Sequence, residues 1–461
     1  MLVFKFIVFF CLVSSISWAQ KPTGLAFDDS QYDRTQSQAM MIRGDFTPLP
    51  PSSSLKQYCP EPLSQRKENT SPGWAAAYGA RTIVEAKRRN ITDRMQIRNI
   101  SYSPVFNYFL SRPEGADDCS VPVKLPDVLA SMKEYGVPRF NDFQKLCPSE
   151  IGDDIFKEAA ENRITDYYRL FGADASENEK IESVKRSLSQ GLPVVIGMHV
   201  SRSFENIRDE FWQPREVLNP EEQPGHALVV VGYDDTKFTG AFEVMNSWGA
   251  GWGNKGFMWI RYKDFAEFTR YGFEIFAISG QNPDAVDLAG EVEIPLLGGG
   301  NMGFHLMNES EGYYKAEKAY GANTEFQVLV TSLESSFVYI IGSDQTEEIY
   351  ALFPEPGVSA ALPYKNSRVV LPNEQEFWYI DEIPGTNYLC IVFSKEELWM
   401  TDLERNLISL KGRSFKEKIK TAFHEKIILP ENVEFISDKI SFEGISRGRS
   451  LITIIIEIEH N

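Results

Sequence analysis

The sequence predicts an α+β domain followed by a second, mostly β domain of sandwich-like form. Three observations predict this arrangement. In the first part of the chain, stretches with helical periodicity precede stretches with strand periodicity, which is typical of α+β domains rather than of alternating βαβ units. A segment with three consecutive glycines then interrupts the pattern. Beyond it the periodic stretches are mostly strand-like, and 461 residues are too many for one ordinary domain.

The first domain is predicted to begin with helices and to end with strands. The alanine-rich stretch 72–89 presents a face of small apolar residues at helical spacing, and two further helices are predicted at 125–135 and 179–190. Runs of β-branched and aromatic residues bounded by turn residues predict strands. These strands are expected at 193–198, 227–233, 242–245, 256–262 and 273–279.

These patterns divide the chain into five segments. We expect a signal peptide at 1–19, an irregular lead-in at 20–57, the first domain at 58–280, a linker at 281–303 and the second domain at 304–461. The second domain is predicted to contain a single partly basic helix at 403–427 and a set of strands. The strands are expected at 326–331, 337–341, 348–353, 368–371, 377–380, 388–393 and 451–458.

The first nineteen residues indicate export. Lys5 is their one charge, the apolar run 6–13 is too short to span a bilayer, and Ser17 and Ala19 are the small residues that a cleavage site needs. Later stretches do not approach 18 uninterrupted apolar residues, so we expect no membrane insertion after cleavage. The expected location is outside the cell or in the periplasm of a bacterial cell envelope.

Charge and cysteine usage narrow the possible partners. The formal net charge of −18 leaves no basic surface to neutralise phosphates, so a nucleic-acid partner is not expected. The histidines show no metal-ligand spacing, and we expect neither a metal nor a cofactor. In an oxidising compartment, Cys119 and Cys147 are the best local candidates for a disulfide, and Cys59 is expected to be structural. The sequence does not predict the oligomeric state.

Two motifs contain the candidate catalytic residues. His226 opens an apolar strand, Asn246 follows twenty residues later, and Trp248 stands beside that asparagine. An imidazole that holds a proton, an amide that fixes its tautomer and an indole that shields their hydrogen bond form the arrangement that a thiol peptidase needs. A lone histidine is more often a core residue, but this combination indicates a site.

These motifs resemble the His and Asn motifs of the papain family of cysteine peptidases, including its bacterial members. The resemblance implies a papain-like fold, with a helical half and a β half, and a nucleophilic cysteine at the start of a long helix. In the family a tryptophan and an alanine follow that cysteine, and an oxyanion-hole glutamine precedes it. Aligning on Trp74 puts Gly73 at the nucleophile position, whereas aligning on Gln65 puts Ser71 there.

The Trp74 register is preferred because it also aligns the alanines that follow. Gly73 has no side chain that could form a covalent intermediate, so this register predicts the loss of peptidase chemistry. Ser71 has two interpretations. It is either a displaced serine nucleophile, activated by His226 and assisted by Gln65, or the N-cap of the helix, since a proline follows it. A site that ionises a thiol does not ionise a serine hydroxyl.

The favoured interpretation is an exported papain-family homologue that has lost peptidase chemistry and binds a peptide or protein. One alternative is an active hydrolase that uses Ser71, His226 and Asn246, and a second is an envelope adaptor whose domains are only interaction surfaces. Two departures from the family favour the first interpretation. Segment 119–123 lacks the paired glycines that dock substrate, and the lead-in 20–57 lacks the length and helical pattern of an inhibitory prosegment.

The second domain resembles a β-rich bacterial domain of unknown function that is appended to papain-like and other secreted modules. The resemblance rests on the segments 337–339, 352–354, 362–364 and 384–390. It implies binding or spacing rather than a reaction.

Overall fold

The computed structural model describes residues 21–38, 49–116, 118–277, 285–344, 346, 348–373 and 375–461. The predicted signal peptide, 1–19, lies outside the described residues. Within them, no helix has both the length and the apolar character needed to cross a membrane. The two domains that the sequence predicts are both present, and the second is mostly β.

The N-terminal domain contains ten α-helices and eight strands among the described residues. The helices are α1 (Asp29–Arg34), α2 (Ser71–Gly73), α3 (Thr82–Arg88), α4 (Arg94–Ile100), α5 (Val105–Leu110), α6 (Leu125–Glu134), α7 (Asp153–Ala160), α8 (Glu177–Ser189), α9 (Arg202–Glu205) and α10 (Tyr262–Phe268). The strands are β1 (Ser52–Ser54), β2 (Asp166–Arg169), β3 (Val194–His199), β4 (Phe211–Trp212), β5 (Gly225–Asp234), β6 (Ala241–Met245), β7 (Phe257–Arg261) and β8 (Thr269–Phe276).

A continuous helix runs through the centre of this domain. The π-helical turns Trp74–Arg81 join α2 to α3, so the predicted helix at 72–89 is confirmed. Its run of small residues lets it lie close to the sheet, because a Cβ at Gly79 would come within 2.6 Å of the Val229 side chain on β5. The start of this helix is thereby held against the strand that carries His226.

The sheet brings the two sequence motifs together. Its strand order is β2-β8-β3-β5-β6-β7-β4, and β1 pairs with β5. Strand β5 lies between β3 and β6, with His226 opposite Met198 and Val229 opposite Met245. Asn246 directly follows β6, which runs antiparallel to β5, and therefore lies beside the start of β5.

The C-terminal domain contains fourteen strands and two α-helices within its described part. The strands are β9 (Leu288–Glu293), β10 (Phe304–Asn308), β11 (Tyr313–Ala316), β12 (Glu325–Phe326), β13 (Val328–Ser332), β14 (Ser336–Ser343), β15 (Ile349–Phe353), β16 (Ala361–Leu362), β17 (Ser367–Leu371), β18 (Trp378–Tyr379), β19 (Gly385–Ser394), β20 (Val433–Phe435), β21 (Ile440–Gly444) and β22 (Leu451–His460). The helices are α11 (Met400–Ser409) and α12 (Phe415–Ala422).

Two of its sheets pack face to face as a sandwich. One has the order β10-β11-β22-β19-β14-β15, with β16 paired to β14, and the other has the order β17-β13-β9-β21-β20. Side chains of β14 alternate between two cores: Val338 and Ile340 enter the sandwich, while Phe337, Tyr339 and Ile341 face the opposite side.

The expected linker at 281–303 is corrected, because it contains strand β9 in the middle of the five-stranded sheet. Leu288 and Val292 are buried in the sandwich core at strand spacing. Gly290 lies between them, where a Cβ would come within 2.5 Å of the Phe393 ring. The three consecutive glycines at 298–300 made this segment resemble a linker. Gly290 instead permits close packing of the two sheets.

The single helix expected at 403–427 is also corrected, because the chain forms two helices there. The first helix ends at Ser409, and Gly412 adopts φ +70° in the turn that follows. Ser414 forms a capping box with Glu417 that begins the second helix.

The lead-in at 20–57 is more regular than predicted. It contains α1, β1 and a 3-10 turn at Lys56–Tyr58. Tyr32 of α1 is fully buried and stacks on Tyr271 with ring centroids 4.1 Å apart. Beyond α1, Ser37 donates its N–H to the Gly357 carbonyl at 2.8 Å and accepts from the Ser359 N–H at 2.9 Å. The lead-in is therefore fixed to both domains.

The two domains share a buried interface. Phe276 of the first domain packs with Phe337 of the second at a ring-centroid distance of 5.7 Å. At its centre the fully buried Glu274 accepts hydrogen bonds from the hydroxyls of Tyr168 and, across the interface, Tyr364. Burial raises the pKa of Glu274, and these hydroxyls replace the water that the carboxyl group loses.

We predict that Tyr364→Phe destabilises the chain by about 1–3 kcal/mol, because it leaves a buried carboxyl oxygen with one fewer donor. Urea unfolding followed by tryptophan fluorescence measures this change. Tyr350→Phe is the matched control: its hydroxyl bonds Asp344 and Glu348 at the surface, and the expected loss is below about 0.5 kcal/mol. Equal losses in the two variants would contradict the prediction.

Candidate functional site

His226, Asn246 and Trp248 form one buried cluster. The Nε2 atom of His226 lies 2.8 Å from Oδ1 of Asn246, so Nε2–H is the donor and Nδ1 carries the lone pair. The Trp248 ring stacks on the imidazole at a centroid distance of 4.4 Å and an angle of 26°. The predicted roles of the amide and the indole therefore match their positions.

The environment of His226 keeps its ring neutral. The residue is 0% exposed, and burial lowers its pKa to about 4, with the hydrogen bond to Asn246 acting in the opposite direction. Among the described residues, Nδ1 of His226 has no hydrogen-bond partner. At neutral pH this nitrogen is an available base rather than half of an ion pair.

Ser71 is the helix-start residue that the structure places beside His226. Its Oγ accepts a hydrogen bond from the N–H of Ala227, the next residue along β5, at 3.1 Å. The N-cap interpretation of Ser71 is corrected, since Thr70 holds the cap position and the helix start has no side-chain cap bond. Ser71 is fully buried and its hydroxyl points to the sheet.

Gly73, the preferred nucleophile position in the sequence, lies on another side of the helix. A Cβ at Gly73 would come within 1.8 Å of the Pro104 carbonyl oxygen and 3.3 Å of Tyr108 in α5. Residues two apart on a helix do not face the same way, so Gly73 and Ser71 cannot both point towards His226. The preference for the Trp74 register is corrected in favour of the Gln65 register.

Gln65 lies in the same site. Its Nε2 donates to the carbonyl oxygens of Thr23 at 3.0 Å and Glu68 at 2.7 Å. Its Oε1 accepts from the Ser247 hydroxyl, and its main-chain N–H donates to the Ser247 carbonyl at 2.8 Å. Because Ser247 follows Asn246, the amide of Gln65 is oriented by the loop that carries the asparagine.

Residues 21–27, which we term the strap, run through the cleft between the two halves of this domain. The carbonyl oxygen of Thr23 accepts hydrogen bonds from Nε2 of Gln65 at 3.0 Å and from the N–H of Ser71 at 3.2 Å. Two donors that converge on one carbonyl oxygen form an arrangement of the oxyanion-hole type. Pro22, one residue earlier, accepts from the indole N–H of Trp248 at 2.7 Å.

The rest of the strap pairs with both walls of the cleft. On one wall, the Val123 N–H donates to Gly24 at 2.9 Å and its carbonyl accepts from Ala26 at 2.9 Å. On the other wall, the Gly225 carbonyl accepts from the N–H of Leu25 at 3.2 Å. The cleft thus holds the backbone of the strap without the paired glycines, and a lead-in without a prosegment-like pattern nevertheless occupies it.

A disulfide supports the wall that contains Val123. Cys119 and Cys147 are bonded, which confirms the predicted pair. The Cys119 carbonyl accepts from the Asn69 N–H at 2.7 Å, and the Asn69 side chain donates to Ser120 at 2.6 Å. Cys59 is a buried thiol whose Sγ donates to the Leu55 carbonyl, and burial raises its pKa. This burial is consistent with the structural role that the sequence predicts for Cys59.

Sequence reasoning missed the strap, Asn69 and Val123. Main-chain contacts of this kind cannot be predicted from residue type, because every residue except proline supplies both an N–H and a carbonyl. The one available signal was Gly24, which adopts φ +115° and lies against Asn69. No group of three or more His, Cys, Asp or Glu side chains in the described ranges is placed to hold a metal ion.

Comparison with known proteins identifies a family match for part of this domain. The model of the papain family cysteine proteases matches residues 152–275, which include His226 and Asn246. Residues 152–275 belong to the papain family. Gln65 and Ser71 lie outside the matched papain-family stretch, so their assignment rests on the geometry above.

Curated relatives match parts of this chain. An uncharacterized peptidase C1-like protein of Acanthamoeba polyphaga mimivirus is 30% identical over 153 residues, which are 29% of this chain and 48% of the relative. Cathepsin C of Schistosoma mansoni is 27% identical over 184 residues, which are 36% of this chain and 38% of the relative. The chain therefore spans less than half the length of these relatives.

Solved papain-like structures also resemble the chain. Xylellain, a cysteine protease from Xylella fastidiosa, has a TM-score of 0.45 and 21% identity, and the match covers 57% of this chain and 98% of xylellain. Procathepsin L 3 of Tenebrio molitor has a TM-score of 0.41 and 18% identity, with 55% of this chain and 83% of that protein covered.

We predict that His226 makes the stability of the chain depend on pH. An unfolded histidine has a pKa of about 6.5, so below that pH the unfolded state binds more protons than the folded state. The free energy of unfolding therefore keeps its full contribution from His226 above about pH 6.5. It falls as the pH approaches 4, by up to about 3 kcal/mol. Urea unfolding of the wild type and His226→Gln at pH 7 and pH 4.5 measures the difference.

His226→Gln is expected to lose less stability between these pH values than the wild type. The control is His305→Gln, because His305 is exposed and should follow the wild-type profile. Parallel profiles for the wild type and His226→Gln would show that His226 is not buried as described.

Proposed function

We propose that this chain binds extended peptides in its papain-like cleft and does not hydrolyse them, and that the strap is the resident ligand. The observation that carries this proposal is the pairing of strap residues 23–26 with the cleft through main-chain hydrogen bonds. Because these contacts involve the backbone, another extended peptide can make them once the strap leaves.

The chemistry beside the Thr23 carbonyl supports binding without cleavage. The residue closest to a nucleophile position is Ser71, whose hydroxyl is not ionised by a site of this kind. His226 is neutral, so a stored thiolate–imidazolium pair has no counterpart. The N–H of Ser71 still serves as a donor, since a main-chain N–H does not depend on the side chain.

A serine-type hydrolase is the second candidate. Two observations favour it: the donors of Gln65 and Ser71 converge as an oxyanion hole does, and Nδ1 of His226 is a lone-pair nitrogen without a partner in the described part of the chain. In this alternative His226 would accept the Ser71 proton and Asn246 would hold its tautomer.

We also propose that the chain is exported to the periplasm or beyond. The features of residues 1–19 support this, and so does the Cys119–Cys147 disulfide, which persists in an oxidising compartment.

We predict that releasing the strap creates a peptide-binding protein. In the variant Gly24→Val with Phe27→Ala, termed the released chain, valine cannot fit because a Cβ at Gly24 would come within 1.9 Å of the Asn69 carbonyl oxygen. A synthetic peptide of residues 21–27, labelled on the exposed Lys21, is added and fluorescence anisotropy is measured. The released chain should bind it at least about tenfold more tightly than the wild type.

Gly298→Val is the matched control, because its Cβ would meet open space at an ordinary φ, and it should bind like the wild type. Absence of binding to the released chain would contradict the proposal.

The same mixtures decide between the two candidates. Mass spectrometry should find the peptide intact after incubation with the released chain. Cleavage that disappears in both Ser71→Ala and His226→Ala versions of the released chain would establish the serine hydrolase instead.

A further inference from the structure

We propose that the cleft selects peptides with glycine at the position of Gly24, a branched aliphatic residue at that of Leu25 and an aromatic residue at that of Phe27. The inference rests on the proposed function and specifies its ligand class. The strap is the ligand seen in place, and each of these three positions meets a different physical constraint.

The position of Gly24 excludes every side chain. Gly24 adopts φ +115°, and a Cβ there would come within 1.9 Å of the Asn69 carbonyl oxygen and 2.2 Å of its carbonyl carbon. Asn69 cannot retreat easily, because its N–H is bonded to Cys119 of the disulfide and its side chain to Ser120. A residue other than glycine would break this fit or shift the bound backbone.

The position of Leu25 is enclosed and part of the apolar core. Leu25 is 5% exposed, and a Cβ at Gly197 on β3 would lie 2.7 Å from its Cδ2 atom. The Leu25 side chain therefore fits because residue 197 is a glycine. A Cβ at Gly225 would likewise come within 2.6 Å of the Leu25 carbonyl oxygen, so a second glycine admits the ligand backbone.

At the position of Phe27, the cleft contacts the ligand through aromatic rings. Its ring lies 4.4 Å from the His199 ring at an interplanar angle of 31°, and 5.1 Å from Tyr271 in an edge-on arrangement. Nδ1 of His199 is bonded to the Gln223 carbonyl at 3.0 Å, which fixes the ring. An aliphatic residue would fill less of this contact.

Ala26 provides an internal control. It is half-buried and contributes its main-chain N–H to Val123, so a small polar residue should replace it without loss. The selected pattern is Gly-Leu-x-Phe with one tolerant position.

The experiment measures binding of four variant peptides to the released chain by competition against the labelled peptide of residues 21–27. Peptides carrying Gly24→Ala, Leu25→Asp or Phe27→Ala should each bind at least about tenfold more weakly than the parent. The peptide carrying Ala26→Ser should bind within about threefold of the parent.

Substitutions in the cleft test the same contacts as the substitutions in the peptide. In the released chain, His199→Ala should remove the preference for Phe27 while keeping that for Leu25, and Gly197→Leu should remove the preference for Leu25. Equal binding of all peptides would overturn the proposed selectivity and leave the peptide-binding function standing. Failure of every peptide, including the parent, would overturn both.

Discussion

The carbonyl oxygen of Thr23 lies between two donors, Nε2 of Gln65 and the N–H of Ser71, and the organisation of the cleft depends on this contact. It sets the register of the strap, because the hydrogen bonds of Gly24, Leu25 and Ala26 follow from it along the chain. Both donor residues are themselves positioned by further hydrogen bonds. Gln65 is oriented by Ser247, and Ser71 is tied through its hydroxyl to β5.

This contact separates peptide recognition from peptide chemistry. The donors that hold a carbonyl oxygen are an amide side chain and a main-chain N–H, and neither requires a thiol at residue 71. The catalytic step of a thiol peptidase instead needs an ionisable side chain and a charged histidine. Here the side chain is a hydroxyl and burial lowers the pKa of His226 to about 4. A site of this kind can keep its binding groove when its chemistry changes.

The sequence predicted the order of helices and strands, the location of the His226–Asn246–Trp248 cluster and the Cys119–Cys147 disulfide, because these depend on local periodicity, spacing and residue type. It preferred Gly73 to Ser71 as the residue that faces His226 because Trp74 was the more conspicuous anchor. The direction in which Gly73 points depends on the position of Pro104, and that is a tertiary contact. Main-chain pairing of the strap and the burial of β9 between other strands likewise depend on distant segments.

Hydrogen exchange at the main-chain N–H groups of Leu25 and Ala26 in the wild-type chain tests the central claim most directly, since both groups are bonded to the cleft walls. We expect both to exchange at least about a hundredfold more slowly than in an unstructured peptide. The same slow exchange is expected for the Ser71 N–H, which donates to the Thr23 carbonyl. Exchange of Leu25 and Ala26 at the unstructured rate, with the Ala227 N–H of β5 still protected, would show that the strap does not occupy the cleft and would contradict the account.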